Sequence, residues 1–360
     1  MSEQVHVVKP PVTSVGVVGW LRQNLFNTPF NSLLSLVTLY FLWSVLPPFV
    51  RWAFIDASWF SPSQVCRDGA GACWSVITQN IRFILFGFYP YDQQWRPAVA
   101  VVLLLGLLFF SRDRKYWSKR LGYAWIVGLV AMGVLMAGGV PGLPAVETTK
   151  WGGLPLTLLL SVFGLTAAYP LGVILALGRQ SKMPAIKVLS VVYIEMIRGV
   201  PLISLLFMAS IIFPLFLPEG ITINKILRAQ VAIILFTGAY IAEVVRGGLQ
   251  AIPKGQYEAA ESLGLNYYLT MRLVILPQAL KIVIPPTVGI LVSAFKDTSL
   301  VVIIALYDVL KTTQTVLSNP EWMGFSREAY IFLAILYFLG CFSMSHYSRK
   351  LEMELSTENH

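Results

Sequence analysis

Eight stretches of this chain are apolar over lengths that approach or exceed a membrane span: Leu33–Phe49, Pro97–Phe110, Leu121–Val140, Leu154–Gly178, Ala185–Phe213, Ala229–Val245, Leu276–Ala294 and Ala329–Ser345. A helix needs roughly 20 apolar residues to cross about 30 Å of hydrocarbon. No water is available there, so each backbone N–H and C=O must be satisfied within its own segment. The expected fold class is therefore an all-α membrane protein with about eight transmembrane helices. Pro97–Phe110 is the shortest of the eight, and Trp95 and Trp117 near its flanks suit interfacial anchors. Thr298–Leu310 is too short to cross and reads as a re-entrant or interfacial segment.

Composition removes the soluble alternatives. Of 360 residues, 56% are hydrophobic and 12% charged, with a mean hydropathy of +0.69, against about 25% charged in an ordinary soluble domain. A net charge of +9 would suit nucleic acid in a soluble protein. Here the basic residues lie in short loops beside apolar runs and act as orientation signals facing membrane lipid, so no nucleic-acid partner is expected. His6, His346 and His360 stand outside the apolar runs, and Cys66, Cys73 and Cys341 are few, which argues against haem or a metal centre. No GxxxxGK[ST] occurs, so no nucleotide site and no cofactor is expected in this chain. Residues 1–30 lack a basic segment followed at once by an apolar core, and no cleavable leader is expected.

Eight spans put both termini on one side. With 1–32, 112–120, 178–187, 246–272 and 346–360 on the cytoplasmic side, the dense cluster from Arg112 to Arg120 falls there, so both termini are expected to be cytoplasmic. Segment 51–96 then becomes an extracytoplasmic loop holding Cys66 and Cys73, which either bridge or remain two thiols. The Pro/Gly-rich stretch Gly138–Gly153 reads as a boundary. It separates a three-helix N-terminal extension, 1–150, from a five-helix module, 151–350, followed by a cytoplasmic tail, 351–360.

The most informative stretch follows the sixth span. Pro253, Gly255 and Gly264 break it into two short helix-forming pieces, Gln256–Leu263 and Tyr267–Leu276, making a helix–Gly–helix elbow on the cytoplasmic side. Glu258-Ala259-Ala260, three residues, Gly264, nine residues and Val274-Ile275-Leu276-Pro277 resemble the EAA-x3-G-x9-I-x-LP signature of binding-protein-dependent ABC importer permeases, with Val274 where the family usually has Ile. Small Ala259 and Ala260 permit close approach, Gly264 permits a sharp turn, and Glu258 offers a charge at an interface. The run 239–256, Arg198-Gly199-Val200-Pro201 and Lys296-Asp297-Thr298-Ser299-Leu300 are similar to the polar amino-acid permeases of histidine, glutamine and arginine type. Val200 departs from their usual Thr. The added N-terminal helices resemble the long permeases of general L-amino-acid importers.

The resemblance, which covers about residues 150–350, implies a type I ABC importer permease module in a bacterial inner membrane. It implies a partner permease, commonly a different chain; an ABC ATPase subunit dimer that binds ATP and Mg; a periplasmic amino-acid-binding protein; and an L-amino-acid substrate. The residues it implies for ATPase coupling are Glu258, Ala259, Ala260, Gly264, Leu276 and Pro277. A secondary transporter is the competing class, but no convincing internal repeat supports it.

Charged groups in apolar runs are costly and mark functional sites by default. Glu195 and Arg198 stand three apart in span five and could pair on one face; Glu243 and Arg246 repeat the pattern in span six. Pro201 should kink or break span five. Tyr240, Lys296 and Asp297 complete the candidate pathway residues, while Arg272 and Lys281 read as snorkelling cations near the cytoplasmic face.

Overall fold

The computed structural model describes residues 16–357. His6, His360, the first fifteen residues and the last three of the expected tail lie outside the described residues. Among the described residues, seven helices are long and apolar enough to cross a bilayer, and a bent pair makes an eighth span if counted as one. Contacts divide the chain into two compact units, residues 1–78 and 79–360.

The first unit holds α1 (Gly16–Asn24), α2 (Pro29–Val50), α3 (Ser63–Asp68) and the start of α4 (Ser75–Phe86). Thr28 caps α2, its side chain accepting from the Asn31 N–H, and Pro29 sits where no amide donor is needed. Pro47 and Pro48 remove two donors near the end of α2, and the chain continues as a π-helical turn, Arg51–Ile55. No residue of α2 is buried within the chain, as suits a helix whose solvent is lipid. The loop beyond it is clasped locally. Trp74 Nε1 donates to the Ala53 carbonyl at 2.7 Å, Trp59 and Trp74 stack at 5.7 Å, and the Cys66 and Cys73 sulfurs are bonded with Cα atoms 5.4 Å apart.

The second unit contains α5 (Trp95–Ser111), α6 (Lys119–Ala137), α7 (Gly153–Arg179), α8 (Pro184–Arg198), α9 (Leu202–Phe207), α10 (Lys225–Ala251), α11 (Lys254–Ser262), α12 (Tyr267–Leu269), α13 (Leu276–Asp297), α14 (Val309–Leu317) and α15 (Ser326–Thr357). Helix α10 packs against α7, α8 and α13, α5 against α6 and α7, and α13 against α15. In a membrane close packing, rather than water exclusion, holds helices together, and small residues permit it. A Cβ on Gly172 would lie 2.5 Å from Ile241 Cγ2, so α7 and α10 meet at a distance that requires glycine there.

The expected boundary at residue 150 falls inside this second unit. The stretch Gly138–Gly153 is anchored instead of hanging free. Buried Arg96 donates from Nε to the Leu135 carbonyl at 2.6 Å and from Nη1 to the Pro144 carbonyl at 2.9 Å. Gly152 and Gly153 form parallel bridges with Tyr307 and Asp308. Buried backbone groups need partners, and these contacts supply them.

The expected fifth span is broken. Helix α8 ends at Arg198, and the chain resumes at Leu202 after a bend of 102°. It then continues through a π-helical turn, Met208–Ile212, and a short 3-10 turn, Phe213–Phe216. Pro201 lacks an amide donor and disfavours helix at Val200, which accounts for the break. Beyond α13, Thr298–Ile304 continues the rod as 3-10 helix until Ala305 turns it with φ of 54°.

Candidate functional site

The elbow is built as a capped turn. Helix α11 starts after Pro253 and closes in a Schellman arrangement. The Leu265 N–H donates to the Ala260 carbonyl at 3.2 Å, and the Gly264 N–H donates to the Glu261 carbonyl at 2.9 Å. Gly264 takes a φ of +74°, which an L side chain rarely adopts. Asn266 caps the next helix, its side chain accepting from the Leu269 N–H at 2.9 Å. That second piece does not end as a separate short helix. Residues 267–304 form one continuous helical rod, with a π-helical segment Thr270–Ile275 leading into α13. Pro277 directly follows the π-helical segment, where the regular hydrogen-bond ladder is already displaced, so its missing donor does not end the rod.

One face of the elbow is anchored and the other is open. Ala260 is buried, Tyr257 packs against the inner core cluster around Leu249, Met271 and Ile275, and Gln278 Nε2 donates to Gln256 Oε1 at 3.1 Å. Burial, with Tyr267 nearby, pushes the Tyr257 phenol above its ordinary pKa. Glu258, Ala259, Gly264 and Pro277 are exposed and Leu276 half-buried. Leu263 is 79% exposed and Tyr267 60%. A rigid elbow with apolar and acidic groups facing outward is suited to docking.

The candidate charges in the membrane gather about Glu243. Arg246 contacts its carboxylate from three residues on, with Nε 3.0 Å from Oε1. Arg179, the last residue of α7, lies 3.4 Å from Oε2, and Arg198, the last of α8, lies 3.6 Å from the same atom. The pairing expected between Glu195 and Arg198 is not the one formed. Glu195 Oε1 takes Arg179 at 2.8 Å, and Arg198 turns to Glu243. Glu195 is 54% exposed and Glu243 23%, so the two carboxylates have different surroundings. Arg179 was not singled out from the sequence, because it ends an apolar run and reads as a loop-flanking base. Its role depends on where α7 ends beside α8 and α10.

Tyr240 links this cluster to a cavity. Arg198 lies 5.5 Å from the Tyr240 ring centre, and Phe236 packs on that ring at 4.9 Å. A cavity of about 440 Å³ opens beside them, with Thr237, Tyr240, Ser293 and Asp297 as its polar walls. Lys296 is exposed and does not line this cavity. The structure thus brings Arg198, Tyr240, Glu243 and Asp297 into one neighbourhood and leaves Glu195 and Lys296 at its edges.

Residues 168–353 match the family model described as binding-protein-dependent transport system inner membrane component. The chain is 48% identical to the inner membrane amino-acid ABC transporter permease protein YhdY of Escherichia coli (strain K12), over 94% of this chain and 93% of that protein. It is 38% identical to the glutamate/glutamine/aspartate/asparagine transport system permease protein BztC of Rhodobacter capsulatus, over 97% of this chain and 96% of that one. A solved structure of an amino acid ABC transporter with histidines aligns at a TM-score of 0.50 and 31% identity, covering 56% of this chain and 92% of that one. The chain belongs to the family of binding-protein-dependent transport system inner membrane components.

Proposed function

We propose that this chain is the permease subunit of an ABC importer for L-amino acids, coupled to a separate ATPase through the elbow at 255–277. One observation carries the reading: the likeness to a protein named as an amino-acid ABC permease runs through 94% of the chain, added N-terminal helices included. The exposed elbow supports the coupling half, with Glu258, Ala259, Ala260, Gly264, Leu276 and Pro277 as its docking and shaping residues. The chain pairs with a second, different permease, and a dimer of ATPase subunits holds ATP and Mg. A periplasmic binding protein delivers the amino acid. Arg198, Tyr240, Glu243 and Asp297 shape the substrate route, with Glu195 and Lys296 at its margins. Both termini face the cytoplasm, and Cys66–Cys73 is a disulfide on the oxidising side of an inner membrane. Residues 1–150 serve as an accessory extension to the module 151–350, which ends in the cytoplasmic tail 351–360.

The test is purification from native membranes with mass spectrometry of the associated chains, repeated for Gly264→Trp. A side chain at φ of +74° costs on the order of 1 to 2 kcal/mol. There is open space around that position, so the chain itself should still fold. The variant should reach the membrane at near wild-type level while the ATPase is lost from the complex and uptake with it. Uptake that survives ATP depletion, or wild-type material that never carries a nucleotide-binding chain, overturns the reading. Reporter fusions at Gly69 and Lys115 should report opposite sides, with Gly69 outside.

A further inference from the structure

Among the described residues, Glu243 is where cations from α7, α8 and α10 meet on one carboxylate. Its carboxylate faces Arg179 at 3.4 Å, Arg198 at 3.6 Å and the Arg246 Nε at 3.0 Å. Arg198 is the residue after which the fifth span breaks through 102°. A helix end at such a break has lost its continuing hydrogen bonds, and a side-chain anchor there decides where it sits. On the other side of Glu243 the same chain of contacts runs toward the elbow. Arg246 Nη1 donates to Gln250 Oε1 at 2.9 Å, and Gln250 is one residue from the end of α10 and three before the Pro253 that opens α11. On the cavity side, Arg198 rests against Tyr240, which forms part of the wall shared with Asp297.

We propose that Glu243 is a positioning residue for transport, pinning the broken end of α8 to α10 so that motion of the elbow is delivered to Arg198 and Tyr240 at the cavity. The inference rests on the reading of the chain as an ATPase-coupled permease. Glu243 acts through the three arginines. With the carboxylate absent, Arg179 keeps Glu195, while Arg198 and Arg246 face each other without the acid between them, and the end of α8 is released from α10. The elbow would still dock, because its shape is set by its own caps and by the Gln256–Gln278 contact.

The experiment uses the whole importer, with both permeases, ATPase and binding protein, reconstituted in lipid vesicles and given a radiolabelled mixture of the proteinogenic L-amino acids. The readout is amino acid moved per ATP hydrolysed, a ratio that does not change when less complex folds. Glu243→Gln should lower that ratio by about tenfold, within the range over which coupling residues act. Because Glu243→Gln leaves an excess of half-buried cations, the double variant Glu243→Gln with Arg246→Gln keeps the cluster's net charge, and its ratio should fall comparably. Glu243→Asp should recover part of it, and Gln250→Ala should lower it by about twofold. An unchanged ratio in both the single and the double variant overturns the proposal while leaving the ATP-driven reading in place. A wild-type complex without any ATPase overturns both.

Discussion

Helices α8 and α10 carry the same local pattern, a Glu followed three residues later by an Arg, and the two pairs end differently. In α10, Glu243 and Arg246 close on each other; in α8, Glu195 and Arg198 separate, one to Arg179 and the other to Glu243. Spacing alone permits both outcomes. What separates them is position. Glu243 sits on the face of α10 that meets two other helix ends, so it collects cations from outside its helix. Arg198 ends a helix, so its side chain is free to leave its own face. A charge pair in a membrane helix is therefore a statement about available partners, and the neighbouring helices decide which are used.

The largest expected effect breaks the crowded side of the comparison. Glu243→Lys adds a fourth cation to the three arginines and should cost on the order of 2 kcal/mol, less than a fully buried uncompensated charge because the site is 23% exposed. Membrane abundance and detergent melting temperature should both fall sharply, whereas Glu195→Lys, at a position 54% exposed, should leave abundance near wild type. Equal losses at the two sites would show that the helices do not differ as described.

A second test compares Glu243 with an acid held without a guanidinium. Asp308 is fully buried, accepts from the Lys311 N–H at 2.9 Å and lies 3.4 Å from the Tyr337 hydroxyl. Burial raises its carboxyl from 3.8 to about 6. The folded state therefore holds this proton more tightly than the unfolded chain, so stability falls as pH rises from about 4 to 6 and stays lower above that. Asp308→Asn keeps an acceptor for the α14 cap and should remove this dependence, adding on the order of 2 kcal/mol at neutral pH. Melting curves of the two forms from pH 4 to 7 measure it, and parallel profiles would count against a buried, protonated Asp308.

The smallest effects sharpen the pairing itself. A double-mutant cycle on Arg198 and Glu243 should give a coupling of about 1 kcal/mol. The same cycle on Glu195 and Arg198 should give a value near zero, because neither is the other's partner. A larger coupling in the second cycle would restore the pairing that sequence spacing alone suggests.

Much of the elbow, and the break in span five, was legible in advance because the determinants are local. Gly264 must turn the chain, and Pro201 cannot continue a hydrogen-bonded helix after Gly199 and Val200. Such features depend on the backbone chemistry of a few consecutive residues. The fusion of the second elbow piece with α13 was not legible, since a proline that ends a helix and one accommodated beside a π-helical turn look alike in sequence. Arg96 was equally hidden: an arginine beside an apolar run resembles an interfacial base, and its burial comes from α5, α6 and the 138–146 loop closing over it.

By itself the sequence determined that this chain lives in lipid, where its spans fall, where one of them breaks, and that a short turn of unusual regularity follows the sixth. These follow from apolar length, missing amide donors and left-handed backbone, all properties of a segment considered alone. Only the tertiary structure decided that Arg179 joins the charged cluster, that Glu195 and Arg198 part company, and that Tyr240 and Asp297 share a cavity wall. Those outcomes depend on which helix ends meet at one depth. In a low-dielectric interior, where an ion must find some partner, geometry between helices outweighs proximity along the chain.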